Sequence, residues 1–360
     1  MQERPREVPH VLWQDDAFGV RPELVSPQML FDVPPALAAL LDKNRQDIDR
    51  AKRLQALLAL LFHDLDTPIR YHADMNLTPS ETLQQRLGNC LSLAIFTAVA
   101  ARYWQLPAQV QSVAIAPRWM RNGDLVTLSK HVNVRVKTQD LGDNNVIGEN
   151  GYRVVDFQQG YERYRFRAQP ISDRQAAALF YHNQSVNWLV EGHYSEAYWA
   201  AKTSLMTHPE SETFNLLGVI YRRAGLPKAA EAVYQYVLAF DETDASVWQN
   251  LSVLLNAQGR PLEAANAKVK AARLMPDNPF DFIDQAELLL ADGHVAKAKT
   301  LYEKALEIDD INEEALWGMA KCYYLSGQAQ LALRFVDKAL LLASTPQVHE
   351  RILQWKAAHL

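Results

Sequence analysis

Hydrophobic positions change period partway along the chain. From about residue 178 onward, glycines fall at Gly192, Gly225, Gly259, Gly293 and Gly327, separated by 33, 34, 34 and 34 residues. Alanines keep the same beat five positions later, at Ala197, Ala230, Ala264, Ala298 and Ala332. Between these marks apolar residues recur at helical spacing, as in Phe214, Leu217, Gly218 and Tyr221, then Ala230, Tyr234 and Val237. The pattern predicts a helix, a glycine turn and a second helix, repeated five times over 178–345. Small residues let the paired helices approach closely and large ones fill the space beside them. Gln347 to His359 reads as one extra helix that caps the open end of the stack.

Ahead of the repeats the pattern differs. Residues 1–34 carry Pro5, Pro9, Pro22, Pro27 and Pro34 with little periodicity, which predicts extended chain wrapped over the surface. Helical spacing runs from Pro35 to about His63, through Leu37, Leu41, Ile48, Leu54, Leu57 and Leu61. Thr78-Pro79-Ser80-Glu81 is a capping box with proline at the first helical position, and the short helix it opens is expected to stop at Gly88. Cys90 to Trp104 is apolar almost all round, the mark of a helix buried on most sides. Val110 to Ile115 is a strand candidate, and 131–137 alternates strictly, with Val132, Val134 and Val136 on one face. After a Gly/Asn/Asp-rich turn over 142–151, Tyr152 to Phe157 is the next strand. A hairpin packed on a buried helix makes an α+β domain of 35–170, ahead of an all-α array.

Charge and cysteine content narrow the function. With 37 basic and 42 acidic residues the net charge is −5, so no basic footprint points to nucleic acid or an anionic membrane surface. The longest apolar run, roughly Leu91 to Ala101, falls far short of the ~20 residues that span a bilayer. Met1-Gln-Glu-Arg-Pro-Arg is followed by no apolar stretch of a secretory signal. The expected compartment is therefore cytoplasmic as the sequence stands, or the bacterial periplasm or envelope if an upstream signal precedes it. Two cysteines, Cys90 and Cys322, exclude a disulfide scaffold and a four-thiolate zinc site. His63, Asp66, His72 and Asp74 lack the spacing of a helical zinc pair and read as a solvated loop, so no metal or cofactor is expected.

Three residues stand where chemistry is possible. Cys90 opens the buried helix behind Gly88-Asn89, His131 begins one strand, and Asp156 closes its neighbour. If those strands pair, His131 and Asp156 lie side by side, and the helix start has only to dock there. A helix N-terminus favours a thiolate, a histidine accepts the thiol proton, and a carboxylate fixes the ring's tautomer. The backbone N–H of Cys90 is a candidate oxyanion donor. Read singly, Cys90 is a small buried hydrophobe, His131 a strand-end polar residue and Asp156 an edge residue. Trp119, in the loop before His131, is a candidate wall of a substrate cleft, while Cys322 reads as packing.

Two resemblances follow from these residues. Phe214, Leu217, Gly218, Tyr221, Gly225 and Ala230, then Trp248, Leu251, Leu255, Gly259, Ala264 and Ala271, then Phe282, Leu289, Gly293, Ala298, Tyr302 and Ala305 resemble a tetratricopeptide repeat (TPR) array over about half the chain. The resemblance implies a concave face built from first-helix positions outside the packing set, including Asn215, Arg222, Gln249, Asn256, Glu287, Trp317, Lys321 and Tyr324. Such a face suits an extended peptide or a helix of a protein partner. Arg86-Leu-Gly-Asn-Cys90-Leu-Ser-Leu-Ala, Lys130-His131-Val-Asn-Val and Val154-Val-Asp156-Phe, with Tyr71 to Thr78 upstream, resemble the transglutaminase-like superfamily, relatives of papain-type proteases. That resemblance implies Cys90 as nucleophile, His131 as general base and acid, and Asp156 as orienting carboxylate. It further implies acyl transfer through a thioester on peptide or protein amide bonds, with the compact core favouring hydrolysis over transamidation. The alternative is a catalytically inactive transglutaminase-like fold in a TPR adaptor.

Overall fold

The computed structural model describes residues 8–45, 52–63, 68–122, 125–138, 151–157, 167–274, 278–343 and 346–360, with the side chains of 114–130, 167 and 346 outside that description. In chain order the elements are α1 (Asp15–Phe18), α2 (Pro35–Asn44), α3 (Arg53–Phe62), β1 (Arg70–Tyr71), α4 (Pro79–Gln85), β2 (Leu87–Gly88), α5 (Cys90–Tyr103), β3 (Ala108–Asn122), β4 (Leu125–Lys137), β5 (Tyr152–Val155) and β6 (Arg167–Pro170). The helices α6 (Asp173–Glu191), α7 (Tyr194–Thr207), α8 (Ser211–Arg223), α9 (Pro227–Phe240), α10 (Ala245–Ala257) and α11 (Pro261–Leu274) follow. The chain ends with α12 (Pro279–Ala291), α13 (Val295–Ile308), α14 (Glu313–Leu325), α15 (Ala329–Leu342) and α16 (Pro346–His359). These elements form two compact units, one of Met1–Asp32 with Ile171–Pro276, the other of Val33–Pro170 with Asp277–Leu360.

In the first unit α6/α7, α8/α9 and α10/α11 are helix pairs turned at Gly192, Gly225 and Gly259, whose φ values are 83°, 77° and 73°. A residue with a side chain is strained there, which is why glycine marks the period. The residue after each glycine donates its N–H back across the turn, as Leu226 does to the Tyr221 carbonyl at 2.8 Å. A second periodic signal marks where first helices begin. Asp244 caps α10, and 34 and 68 residues later Asn278 and Asn312 cap α12 and α14, each side chain accepting a first-turn N–H. Small residues set the approach of paired helices: a Cβ on Gly218 would fall 2.2 Å from the Tyr234 ring.

The N-terminal segment departs from the extended surface chain expected of it. It makes a short turn at His10–Leu12 and the turn of α1, and it buries Leu12 and Phe18 in one cluster with Leu217, Tyr221, Ala230 and Tyr234. Phe18 stacks on Tyr198 with centroids 4.2 Å apart. Tyr221 donates its hydroxyl to the Leu12 carbonyl at 2.6 Å, and the Gln14 N–H donates to the Tyr198 hydroxyl at 3.1 Å. Lys202 holds both carboxylate oxygens of Asp15, at 2.6 and 2.7 Å. Isolated apolar residues among prolines carry no period, so their insertion between helices has no signature in the sequence pattern.

In the second unit the order β5-β4-β3-β6 makes an antiparallel sheet. Val110, Val132, Val134 and Val136 are buried on it, and α5 packs against β3 and β4. Leu91, Leu93, Ala94, Ile95, Phe96 and Val99 are almost wholly buried, as the all-round apolar pattern of α5 predicts. Trp104, just past α5, donates its indole N–H to the Leu41 carbonyl of α2 at 3.2 Å. Four boundaries differ from the sequence expectation. The helical stretch from Pro35 is two helices, α2 and α3, and its Ile48 lies outside the described residues. The capping box at Thr78 forms, yet α4 stops at Gln85 because Arg86 turns left-handed at φ 60°, and Leu87–Gly88 then pair in parallel with Arg70–Tyr71. β3 runs past Ile115 to Asn122, and β4 starts at Leu125, which puts His131 inside a strand instead of at its beginning. Pro117 lies within an irregularity of β3, where the register passes from Val113↔His131 to Arg118↔Ser129. The turn expected over 142–151 lies outside the described residues except for Gly151.

The other part of this unit holds α12/α13 and α14/α15, turned at Gly293 and Gly327 with φ 78° and 74°. Gly318 is the tight position here, since a Cβ would fall 2.2 Å from the Tyr302 ring. The last helix, α16, buries Ile352 in a cluster with Leu316, Val336 and Leu342. Among the described residues no helix is long and apolar enough to cross a membrane.

Candidate functional site

Cys90 is the first residue of α5, and the local sequence fixes that helix start from several sides. Asn89 caps it by accepting the Ser92 N–H at 2.9 Å. The Ser92 hydroxyl accepts the Leu77 N–H at 2.7 Å and donates to the Met75 carbonyl at 3.2 Å, while the Asn89 N–H also reaches the Met75 carbonyl, at 2.7 Å. The His72 N–H donates to the Gly88 carbonyl at 2.9 Å, so the stretch 72–77 is sewn onto the helix start. Gly88 is required by the same close packing: a Cβ there would lie 3.0 Å from the Ser92 Cβ. Cys90 itself is half-buried.

The sheet supplies the other two groups. β5 pairs antiparallel with β4 through Val134↔Val155, and Asp156 follows immediately. His131 Nε2 meets Asp156 Oδ2 at 2.7 Å, with side-chain exposures of 4% and 14%. Asn133, two residues along β4 from His131, donates through Nδ2 to the same carboxylate oxygen at 3.2 Å. Burial of the imidazole disfavours its charged form. That effect is outweighed by hydrogen bonds to Asp156 and Cys90 and by electrostatic attraction to both side chains, and His131 is pushed up to about 9. With Nε2 engaged by Asp156, Nδ1 is the ring nitrogen left for the Cys90 side. The structure thus brings Cys90, His131 and Asp156 together from a helix and two later chain segments.

The remaining predicted residues fall into separate environments. Trp119 lies on β3, opposite Leu128 of β4, and not in a loop; its side chain lies outside the described residues. In the first unit Asn215 is held by Ser246 at 3.1 Å and Asn250 at 2.9 Å, and the buried Tyr234 feels the positive charge of Arg222. Gln249 is half-buried and Asn256 exposed. In the second unit Lys321 is bound by Glu287 at 2.8 Å and lies 4.1 Å over the Trp317 ring, which Arg351 of α16 approaches at 5.3 Å. Tyr324 meets Trp355 and His359 of α16 edge-on, at 5.9 and 5.3 Å. Asn215, Arg222, Trp317, Lys321 and Tyr324 serve internal contacts, a role that their helical position did not signal. Cys322 is fully buried, and that burial, reinforced by the Glu287 carboxylate, pushes its thiol up to about 11. Asp66, weighed with His63, His72 and Asp74, lies outside the described residues, and among those described no group of three or more acidic, histidine or cysteine side chains is placed to hold a metal. The signal missed was Asn133, a polar residue at an alternating position beside His131.

Residues 289–351 match the tetratricopeptide repeat family. No curated protein matches the chain. Among solved structures the chain is similar to PilF of Pseudomonas aeruginosa, at 22% identity over 52% of this chain and 94% of that one, with a TM-score of 0.29. It is also similar to MamA, at 22% identity over 50% and 96%, TM-score 0.26. A third, YrrB, is a TPR protein with an unusual peptide-binding site, at 16% identity over 50% and 92%, TM-score 0.26.

Proposed function

We propose that this chain is a protein-interaction protein, through its tetratricopeptide repeats, and that its α/β part is a cysteine acyl-transfer enzyme acting on an amide bond of a peptide or protein. The repeat match over 289–351 supports the first half. The second half is carried by one observation: a buried His131 held by Asp156 at 2.7 Å, with Cys90 of a capped helix start acting on the same ring.

In this reading the Cys90 proton has already passed to His131, whose midpoint of about 9 keeps the ring charged near neutrality, and the Cys90 sulfur attacks the amide carbonyl carbon. The helix start is the positive end of α5, which suits negative charge on the sulfur and on the tetrahedral oxygen. The C–N bond then breaks, His131 returns the proton to the leaving amine, and an acyl thioester remains on Cys90. Water, or an amine, attacks the thioester with His131 again as base, releasing the acid or a new amide and restoring the thiol. Asp156 stays ionised throughout and stabilises the imidazolium that forms.

Iodoacetamide alkylation, mapped by mass at each cysteine, tests this reading. Cys90 is expected to react at pH 7 at least tenfold faster than a free thiol, His131→Ala to remove that excess, and Cys322 to stay unlabelled in the folded chain. Cys90 reacting no faster than a free thiol, with Cys90→Ala leaving every measured amidase or transamidase activity intact, sinks the enzyme half.

The repeat match favours a second reading, an adaptor with an inactive α/β part. It predicts a protein partner captured equally by the wild type and Cys90→Ala, and lost when Gln249 and Asn256 are changed together to alanine. Gln249 and Asn256 serve as probes because Arg222 and Lys321 make contacts within their own units.

A further inference from the structure

Asn133 has no part in the steps above, yet it is built into the same site. It is 5% exposed, stands two residues from His131 and therefore on the same face of β4, and donates to Asp156 Oδ2 at 3.2 Å. The reversed amide would set its oxygen against the carboxylate, so this donor orientation is the one the charge dictates. Asp156 stands one residue beyond the last ladder pair, Val134↔Val155, and backbone pairing does not hold its side chain. Its carboxylate is 14% exposed.

We propose that Asn133 is a positioning residue that clamps the Asp156 carboxylate onto the His131 imidazole. His131 and Asn133 then form two prongs from one strand, both closing on the same oxygen, and the orientation of the ring is set by β4 instead of by the chain beyond β5. Among the described residues, the titratable groups acting on the ring include Asp156 and, from α5, Cys90. Without the Asn133 donor the carboxylate spends less time on the ring, burial prevails, and His131 loses its proton at lower pH. The catalytic consequence of this clamp rests on the acyl-transfer reading; the clamp itself does not.

The full chain carries the test, with the His131 ring titrated by NMR and the pH profile of Cys90 alkylation mapped by mass. Asn133→Leu, close in volume, is expected to lower the His131 midpoint by about one pH unit and to shift the pH profile of Cys90 alkylation with it. Helix content should stay unchanged, and Asp156→Asn should move both readouts further. If Asn133→Leu does not fold, Asn133→Ala serves with the same expectation. A folded variant that keeps the wild-type midpoint, beside an Asp156→Asn chain that shifts it, overturns the clamp. Should alkylation at Cys90 ignore His131→Ala and Asp156→Asn alike, the acyl-transfer reading falls, and the NMR midpoint alone still decides whether Asn133 holds the carboxylate.

Discussion

Tyr302 in the repeats and His131 in the α/β part are both buried rings bonded to a carboxylate at 2.7 Å, one to Glu287 and the other to Asp156. The resemblance ends with the proton. Burial and the neighbouring carboxylate push the Tyr302 phenol up, away from neutrality, so its bond persists across the working range of pH. For His131 burial opposes the charge, Asp156 and Cys90 restore it, and the balance falls at about 9, within reach of ordinary conditions. The repeats therefore use a polar pair as fixed packing, while the α/β part keeps one that can gain and lose a proton. Cys322 and Cys90 repeat the contrast: one thiol is sealed in a helix interior and pushed up to about 11, the other is half-buried at a helix start.

If packing carries the first unit, its largest response should come from an aromatic. Phe18→Ala removes a ring stacked on Tyr198 and is expected to destabilise the first unit by about 3–5 kcal/mol, measured by urea unfolding. A loss under about 1 kcal/mol would mean that the N-terminal segment lies on the helices without completing their core.

The α/β part should respond next, and to pH. His131 has its midpoint raised from 6.5 to about 9, so the stability it contributes is complete below pH 6.5 and is lost as pH rises through about 9. The shift corresponds to about 3 kcal/mol. Hydrogen-exchange protection of the β4 amides at Val132 and Val134, corrected for intrinsic exchange, should fall over that interval, and His131→Gln should flatten the fall. A wild-type chain with level protection from pH 6.5 to 9 would erase the contrast with Tyr302.

The smallest effect separates two uses of glycine. Gly218→Ala drives a methyl into the Tyr234 ring and is expected to cost about 1–3 kcal/mol, whereas Gly259→Ala meets open space and costs about 1 kcal/mol through its left-handed backbone alone. Equal losses in thermal unfolding would show that Tyr234 gives way without strain.

What could be read beforehand follows the same division. Gly225 and Gly259 announce themselves because the left-handed turn recurs every 34 residues, and the caps Asp244, Asn278 and Asn312 carry a matching beat that was there to be found. His131 and Asp156 were legible through the alternation flanking them, although the strand holding His131 begins six residues earlier than that alternation suggests. Phe18 and Leu12 were not legible, because a single residue inserted between distant helices leaves no period. Arg86 was missed for a related reason: a left-handed residue that is not glycine has no compositional mark. Asn133 looked like any polar residue on an alternating strand, and only its partner reveals its place.

The tie between Leu12 and Tyr221 spans 209 positions. During synthesis Leu12 therefore leaves the ribosome well before Tyr221, and the tie between them forms only after α8 has emerged. The first helix pairs thus complete their packing with a segment that precedes them in the chain. A fusion partner attached in front of residue 8 needs a linker long enough to leave that packing unhindered.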